Sequence, residues 1–178
     1  MEVELRVRIE EDIEPKLLEM NAKKESSSFQ MDEYFKFSLD VDRKLVIRIR
    51  KKDNGSSLLT FKGSSKHEED IAWQEWETKI EDEEVLKKLL LSNGLEKVVC
   101  IEKNRQTYKL DNFEINIDKI KGLGSFVEVE LISDDAINAK KRIEELLSQK
   151  LGVPLKNVIT QGYVPLMIEA NKSNNFNI

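Results

Sequence analysis

Among its 178 residues the chain has one cysteine, Cys100, and one histidine, His67. A single cysteine excludes an internal disulfide, and the two residues together cannot furnish a zinc site that needs several of either. A Ser-His-Asp arrangement would rest wholly on His67, which sits in the polar stretch Ser64–Asp70, and is set aside. No apolar run approaches the ~20 residues of a membrane span, and the opening stretch MEVELRVRIEE is charged throughout. A cytoplasmic protein without a membrane partner is expected. No GxxxxGK[ST] phosphate loop occurs, and Gly122-Leu123-Gly124 precedes a strand rather than a helix, so it reads as a hairpin turn. Large excess charge of one sign is missing too. With 29 Lys and Arg against 34 Asp and Glu, interspersed, the net charge is −5. This is not a polycation built to coat nucleic acid.

What the chain has in quantity is charge: 35% of residues, against a typical ~25%. Its length suits one domain, expected over residues 1–170, with the asparagine-rich residues 171–178 as a frayed tail. Met1–Glu10 alternates Val3, Leu5, Val7 and Ile9 with Glu2, Glu4, Arg6 and Arg8, the period of a strand. Pro15 opens a helix carrying Leu17, Leu18 and Met20. Strands follow over Ser27–Ser38, Leu45–Lys52 and Ser57–Gly63, the last two joined by the turn Asp53-Asn54-Gly55-Ser56. A strand over Ile71–Ile80 leads to a helix from Asp82, with Val85, Leu86, Leu89 and Leu90 on one stripe and Asn93-Gly94 at its end. Strands over Leu95–Leu110, Phe113–Lys119 and Phe126–Ile132 come next. A helix capped by Asp134 then runs to Leu151, with Ile137, Ile143, Leu146 and Leu147 inward.

The order is strand, helix and three strands, twice, before a final helix. Glu2-x-Glu4-x-Arg6 and Glu75-x-Glu77-x-Lys79 open the two halves alike, as an internal duplication would. Eight antiparallel strands in two β-α-β-β-β units, flanked by helices, would close into an α+β barrel or tunnel. Charge alternates with apolar residues on strand after strand. Arg48 and Arg50 flank Ile49; Thr60 and Lys62 flank Phe61; Lys103 and Arg105 share a face. So do Asn116 and Asp118, and Glu128 and Glu130. If helices cover the apolar faces, these charged faces point into a lumen. Such a lumen is too costly to keep free of ions and water. It suits a polyanion carrying a divalent metal: carboxylates hold the hard cation through oxygen, and guanidinium groups grip phosphate. Trp73 and Trp76 read as core or helix-packing residues, with base stacking as the alternative. Cys100 reads as a packed small hydrophobe. Glu75 and Glu77 either line the lumen or balance its arginines.

Glu2-Val3-Glu4-Leu5-Arg6 resembles the ExExK signature of the CYTH superfamily, the triphosphate tunnel metalloenzymes. The likeness continues in order through Gln30-Met31-Asp32-Glu33-Tyr34-Phe35, Ile47-Arg48-Ile49-Arg50, Leu59-Thr60-Phe61-Lys62-Gly63 and Lys103-Asn104-Arg105. It ends in the run from Asp118 through Gly122-Leu123-Gly124 to Glu130. The first and last of these longer pieces are most similar to class IV adenylyl cyclases, and Gly162-Tyr163 echoes an element near the family's C-terminus. The resemblance implies a tunnel in which Glu2, Glu4, Asp118, Glu128 and Glu130 hold Mg2+ or Mn2+. Arg6, Arg48, Arg50, Lys62, Lys103 and Arg105 would bind the triphosphate, with Glu4, Arg6, Lys62 and Glu130 as the catalytic set. The signature's last position holds Arg6 where the family usually has lysine. The expected activity is conversion of ATP to cyclic AMP and pyrophosphate. Hydrolysis of inorganic, thiamine or nucleoside triphosphate is the enzymatic alternative, and a polyphosphate-binding module the non-enzymatic one. A homodimer is expected from the cyclase resemblance alone.

Overall fold

The fold is described from a computed structural model over residues 1–37, 45–64 and 73–175; His67 lies outside the described residues. Strand β1 (Glu2–Ile9) is followed by helix α1 (Glu14–Glu19) and strands β2 (Lys23–Phe37), β3 (Leu45–Lys52) and β4 (Ser57–Ser64). The order returns as β5 (Trp73–Ile80), α2 (Glu83–Ser92), β6 (Leu95–Leu110), β7 (Phe113–Ile120) and β8 (Gly124–Ile132). Then come α3 (Ala136–Glu145), a π-helical turn over Leu146–Lys150, the short strand β9 (Val158–Ile159) and α4 (Tyr163–Asn175). α4 therefore enters the stretch expected to fray.

Local chemistry sets the boundaries. Gly55, at φ +80°, closes the β3–β4 turn, where Asn54 Oδ1 accepts from Ser56 N at 3.0 Å. Gly122 and Gly124 take φ +82° and +98° between β7 and β8, the expected hairpin. Asp82 caps α2 by accepting from Val85 N at 2.9 Å. Asp135, not Asp134, caps α3, accepting from Asn138 N at 3.0 Å. Ala139, Ile143, Leu146 and Leu147 point inward, whereas Ile137 is 86% exposed. Ile137 precedes Ala139 by two residues, roughly 200° around the helix, so it cannot share that stripe.

The strands form an antiparallel sheet in the order β5-β4-β3-β2-β6-β7-β8-β1-β9. Among the described residues this order does not close on itself, and β9 adds to the eight strands expected. The antiparallel sheet with its flanking helices nevertheless accords with the expected α+β tunnel architecture. β1 pairs with β8 on one side and gives part of its other edge to β9, Arg6 facing Ile159 and Val7 facing Val158. Two residues behind Pro154 and a 3-10 turn are too short to show a strand period.

The chain divides into two compact units. The first comprises Met1–Ser28 and Lys103–Leu166. Its core joins Val3 and Val7 of β1, Leu17 of α1, Ile115 and Ile117 of β7, Val127 and Val129 of β8, and Ile143 of α3. Each such fully buried side chain is worth about 1.5–3 kcal/mol. Leu18 of α1 is exposed rather than inward. The second unit comprises Phe29–Glu102 and Met167–Ile178. There Phe35, Ile47, Ile49 and Leu95 pack with Leu59, Phe61, Ile80, Leu86 and Leu90. Of the stripe expected on α2, Leu86 and Leu90 face this cluster, whereas Val85 and Leu89 are 59% and 57% exposed. Trp76 is 58% exposed, so it is no core residue; the side chain of Trp73 lies outside the description.

The units do not follow the sequence repeats. β1 pairs with β8, the last strand of the other repeat, and β5 pairs with β4 in the same exchanged manner.

Candidate active site

In the first unit the pleat sorts side chains between two faces. Odd-numbered β1 residues enter the core, and the even-numbered row Glu2, Glu4, Arg6, Arg8 lies opposite. Register carries that polar face across the sheet. Glu4 faces Glu130 and Arg6 faces Glu128 on β8. Glu130 and Glu128 face Glu114 and Asn116 on β7, and Asp118 faces Arg105 on β6. Lys103, Asn116, Asp118 and Glu128 are all buried, so each must be paired or hydrogen-bonded.

Arg105 donates to Asp118 through Nε at 2.7 Å and Nη2 at 2.5 Å, and also to Glu128. Lys103 Nζ donates to Asp118 at 3.1 Å. Arg6 donates to Glu128 at 2.5 Å, to Glu4 at 2.6 Å and to the Gln161 carbonyl at 3.1 Å. Its guanidinium lies 4.3 Å from the centroid of Tyr163, which in turn meets Phe126 edge-on at 5.2 Å. Burial alone would push the Glu128 carboxyl up, but Arg105 and Arg6 outweigh it and hold that carboxyl well below the ordinary range. Burial likewise opposes the charge on Arg6 and Arg105, and Glu128 more than offsets it. Burial, with Glu128 and Asp118 nearby, keeps the Tyr163 hydroxyl protonated far above its usual pKa. That hydroxyl is buried and has no hydrogen-bond partner among the described residues.

The five carboxylates expected at metal thus divide. Asp118 and Glu128 are engaged by arginine and lysine, whereas Glu2, Glu130 and Glu4, the last also accepting from Arg6, each bring an oxygen within 4.8 Å of the others. Burial and the charges of Glu2, Glu128 and Glu4 push the Glu130 carboxyl up to about 8. Three crowded carboxylates want a proton or a cation between them. As an all-oxygen, strongly anionic donor set they fit a hard divalent ion such as Mg2+ or Mn2+.

In the second unit Arg50 grips Asp32 with two bonds of 2.7 Å. Arg48 donates to Thr60 at 2.9 Å and lies 3.3 Å from Glu75 and 3.7 Å from Glu77. Glu75 and Glu77 therefore balance an arginine. Arg48 Nε is buried with no hydrogen-bond partner among the described residues. Burial, then Asp32, pushes the Tyr34 hydroxyl up to about 12. Lys62 lies on β4 opposite Glu75, and its side chain is outside the description.

Gln161 and Tyr163 in the first unit, and Asp32 in the second, are polar groups that charge alternation alone does not select. The motif around Gln30–Phe35 marks Asp32, and Gly162-Tyr163 marks the segment before α4. Nothing in the sequence marks the Gln161 carbonyl, because any residue supplies one.

The CYTH domain family profile matches residues 1–163. A protein of Methanocaldococcus jannaschii that carries the provisional name adenylate cyclase is 31% identical over 175 residues, covering 93% of this chain and 98% of its own. A conserved hypothetical protein of Pyrococcus furiosus has a solved structure with a TM-score of 0.81 at 30% identity, covering 93% and 99%. A solved structure from Hippeastrum, described as an adenylyl cyclase by assignment with a dominant triphosphatase activity, has a TM-score of 0.63. It is 17% identical and covers 90% of each chain.

Proposed function

The chain belongs to the CYTH domain family, and on that premise we propose that it is a metal-dependent adenylyl cyclase converting ATP to cyclic AMP and pyrophosphate. One observation carries this: Glu2, Glu4 and Glu130 converge on the same strand face as the buried Lys103 and the half-buried Arg6 and Arg105. Those carboxylates would hold Mg2+ or Mn2+, which when bound stabilises developing negative charge on phosphoryl oxygen. The cations draw phosphate oxygens through charge-assisted bonds. Glu128 and Asp118 keep the guanidinium of Arg105 fixed, so little ordering is left for the substrate to impose. From the family resemblance, Arg48, Arg50 and Lys62 are assigned to triphosphate binding as well. In the reaction the 3′-hydroxyl oxygen of ATP bonds to the α-phosphorus, the bond to the bridging oxygen breaks, and pyrophosphate leaves.

The relative named as a cyclase supports this product. The same fold in the Hippeastrum protein favours a second reading, a triphosphatase in which water attacks the terminal phosphorus. Incubating the protein with ATP and Mn2+ and separating products by ion exchange tests both. Cyclic AMP with equimolar pyrophosphate is expected. ADP and orthophosphate without cyclic AMP would transfer the assignment to triphosphatase. We place the enzyme in the cytoplasm and assign it a homodimeric state.

A further inference from the structure

Three glutamates stand in one cross-strand row: Glu4 on β1 faces Glu130 on β8, which faces Glu114 on β7. Like charges directly opposite repel, yet between Glu114 and Glu130 lies a neutral donor. Asn116, next in line along β7 on the same face, directs Nδ2 to Glu130 Oε1 at 3.2 Å and to Glu114 Oε1 at 3.4 Å. The amide is 1% exposed, so its orientation is not averaged by water. Thr107, opposite it on β6, donates its hydroxyl to Asn116 Oδ1 at 2.7 Å. A hydroxyl proton on Oδ1 leaves the NH2 group to face the carboxylates, which fixes the amide's orientation chemically.

We infer that Asn116 is a positioning residue for the metal centre, acting through Glu130, and that Thr107 sets it. Without the amide, Glu130 would be free to turn away from Glu2 and Glu4, the rotation their repulsion favours. With it, one Glu130 oxygen is pinned from the β7 side, and the carboxylate stays within reach of the other two. Glu114 shares the same NH2 group, which damps its repulsion of Glu130 without joining the three-oxygen group. Partners of this kind around metal ligands typically change metal affinity 10–100-fold when removed. The inference rests on the reading of Glu2, Glu4 and Glu130 as the metal ligands.

The test measures Mn2+ affinity without nucleotide, by the electron paramagnetic resonance signal of free Mn2+, on variants whose melting temperatures confirm folding. Glu130→Gln serves as the reference for loss of a ligand. Asn116→Leu, close in shape but without a donor, is expected to weaken Mn2+ about tenfold. Thr107→Val is expected to weaken it severalfold, and Thr107→Ser, which keeps the hydroxyl, to restore wild-type affinity. If Glu130→Gln loses Mn2+ while Asn116→Leu and Thr107→Val bind it like the wild type, the positioning role is wrong. A loss in Thr107→Ser equal to that in Thr107→Val overturns the relay as well, because the methyl group and not the hydroxyl would then matter. Wild-type affinity in Glu130→Gln would instead remove the metal reading itself.

Discussion

Metal-free protein should lose stability as the pH rises through the neutral range, and Glu130→Gln should abolish most of that loss. The Glu130 carboxyl is pushed from 4.5 up to about 8 by burial and by Glu2, Glu128 and Glu4. An acid raised in this way binds its proton more tightly folded than unfolded. Its stabilising share is complete below about 4.5 and disappears as the pH climbs to about 8. At 1.36 kcal/mol per pH unit the full swing is roughly 5 kcal/mol. Glu130 is only half-buried and its neighbours are partly screened, so about 2 kcal/mol is the magnitude to expect. In a chain of this length that is a shift of roughly 4–8 °C in melting temperature. Thermal melts at pH 5, 7 and 9 in EDTA would measure it. The wild type should fall with pH, Glu130→Gln should stay nearly flat from this source and exceed the wild type at pH 9, and Mn2+ should raise the wild type most at high pH. Parallel pH dependences in the two proteins would refute the crowding on which the metal assignment is built.

Arg105→Ala removes both bonds to Asp118 and the bond to Glu128, leaving two buried carboxylates short of a partner; a loss of roughly 3–5 kcal/mol is expected in urea denaturation. Arg48→Ala should weaken binding of ATP, GTP and inorganic triphosphate by similar factors, roughly 1.5–3 kcal/mol in titration calorimetry, and a loss confined to ATP would place the residue at the base instead. Arg6→Lys keeps the charge but loses the fork that reaches Glu128, Glu4 and the Gln161 carbonyl, so amide exchange should quicken around residues 161–164. Ile143→Ala opens a cavity in the first unit's core and should cost about 2–5 kcal/mol without altering Mn2+ affinity.

Much of the strand order was legible because period-2 alternation is a local signal: β3 and β6 begin and end where the sequence indicates. Helix faces were harder. On α2 the apolar residues number more than one face can bury, and the sequence does not say which half meets Leu95 and Phe35. On α3 the cap falls one residue later than expected, and Ile137, about 200° around the helix from Ala139, is stranded outside the inward stripe. β9 escaped because two residues carry no period.

Within the site, sequence could list the charged residues but not divide them. Five carboxylates alternate along β1, β7 and β8, and nothing in their spacing separates those that crowd one another from those held by arginine and lysine. Register makes that division. Arg105 falls opposite Asp118 and Arg6 opposite Glu128, so each guanidinium takes the carboxylate beside it. Glu4 falls opposite Glu130, so two like charges face each other across the strands even though Arg6 also reaches Glu4. A shift of one residue between β1 and β8 would turn Glu4 and Arg6 to the apolar face, which Val3, Val7, Val127 and Val129 forbid. The core therefore fixes the register, and the register gathers the carboxylates of Glu2, Glu4 and Glu130 on one face, with Arg6 reaching Glu4. The chemistry assigned to this face is in that sense a consequence of how the valines on the other face pack.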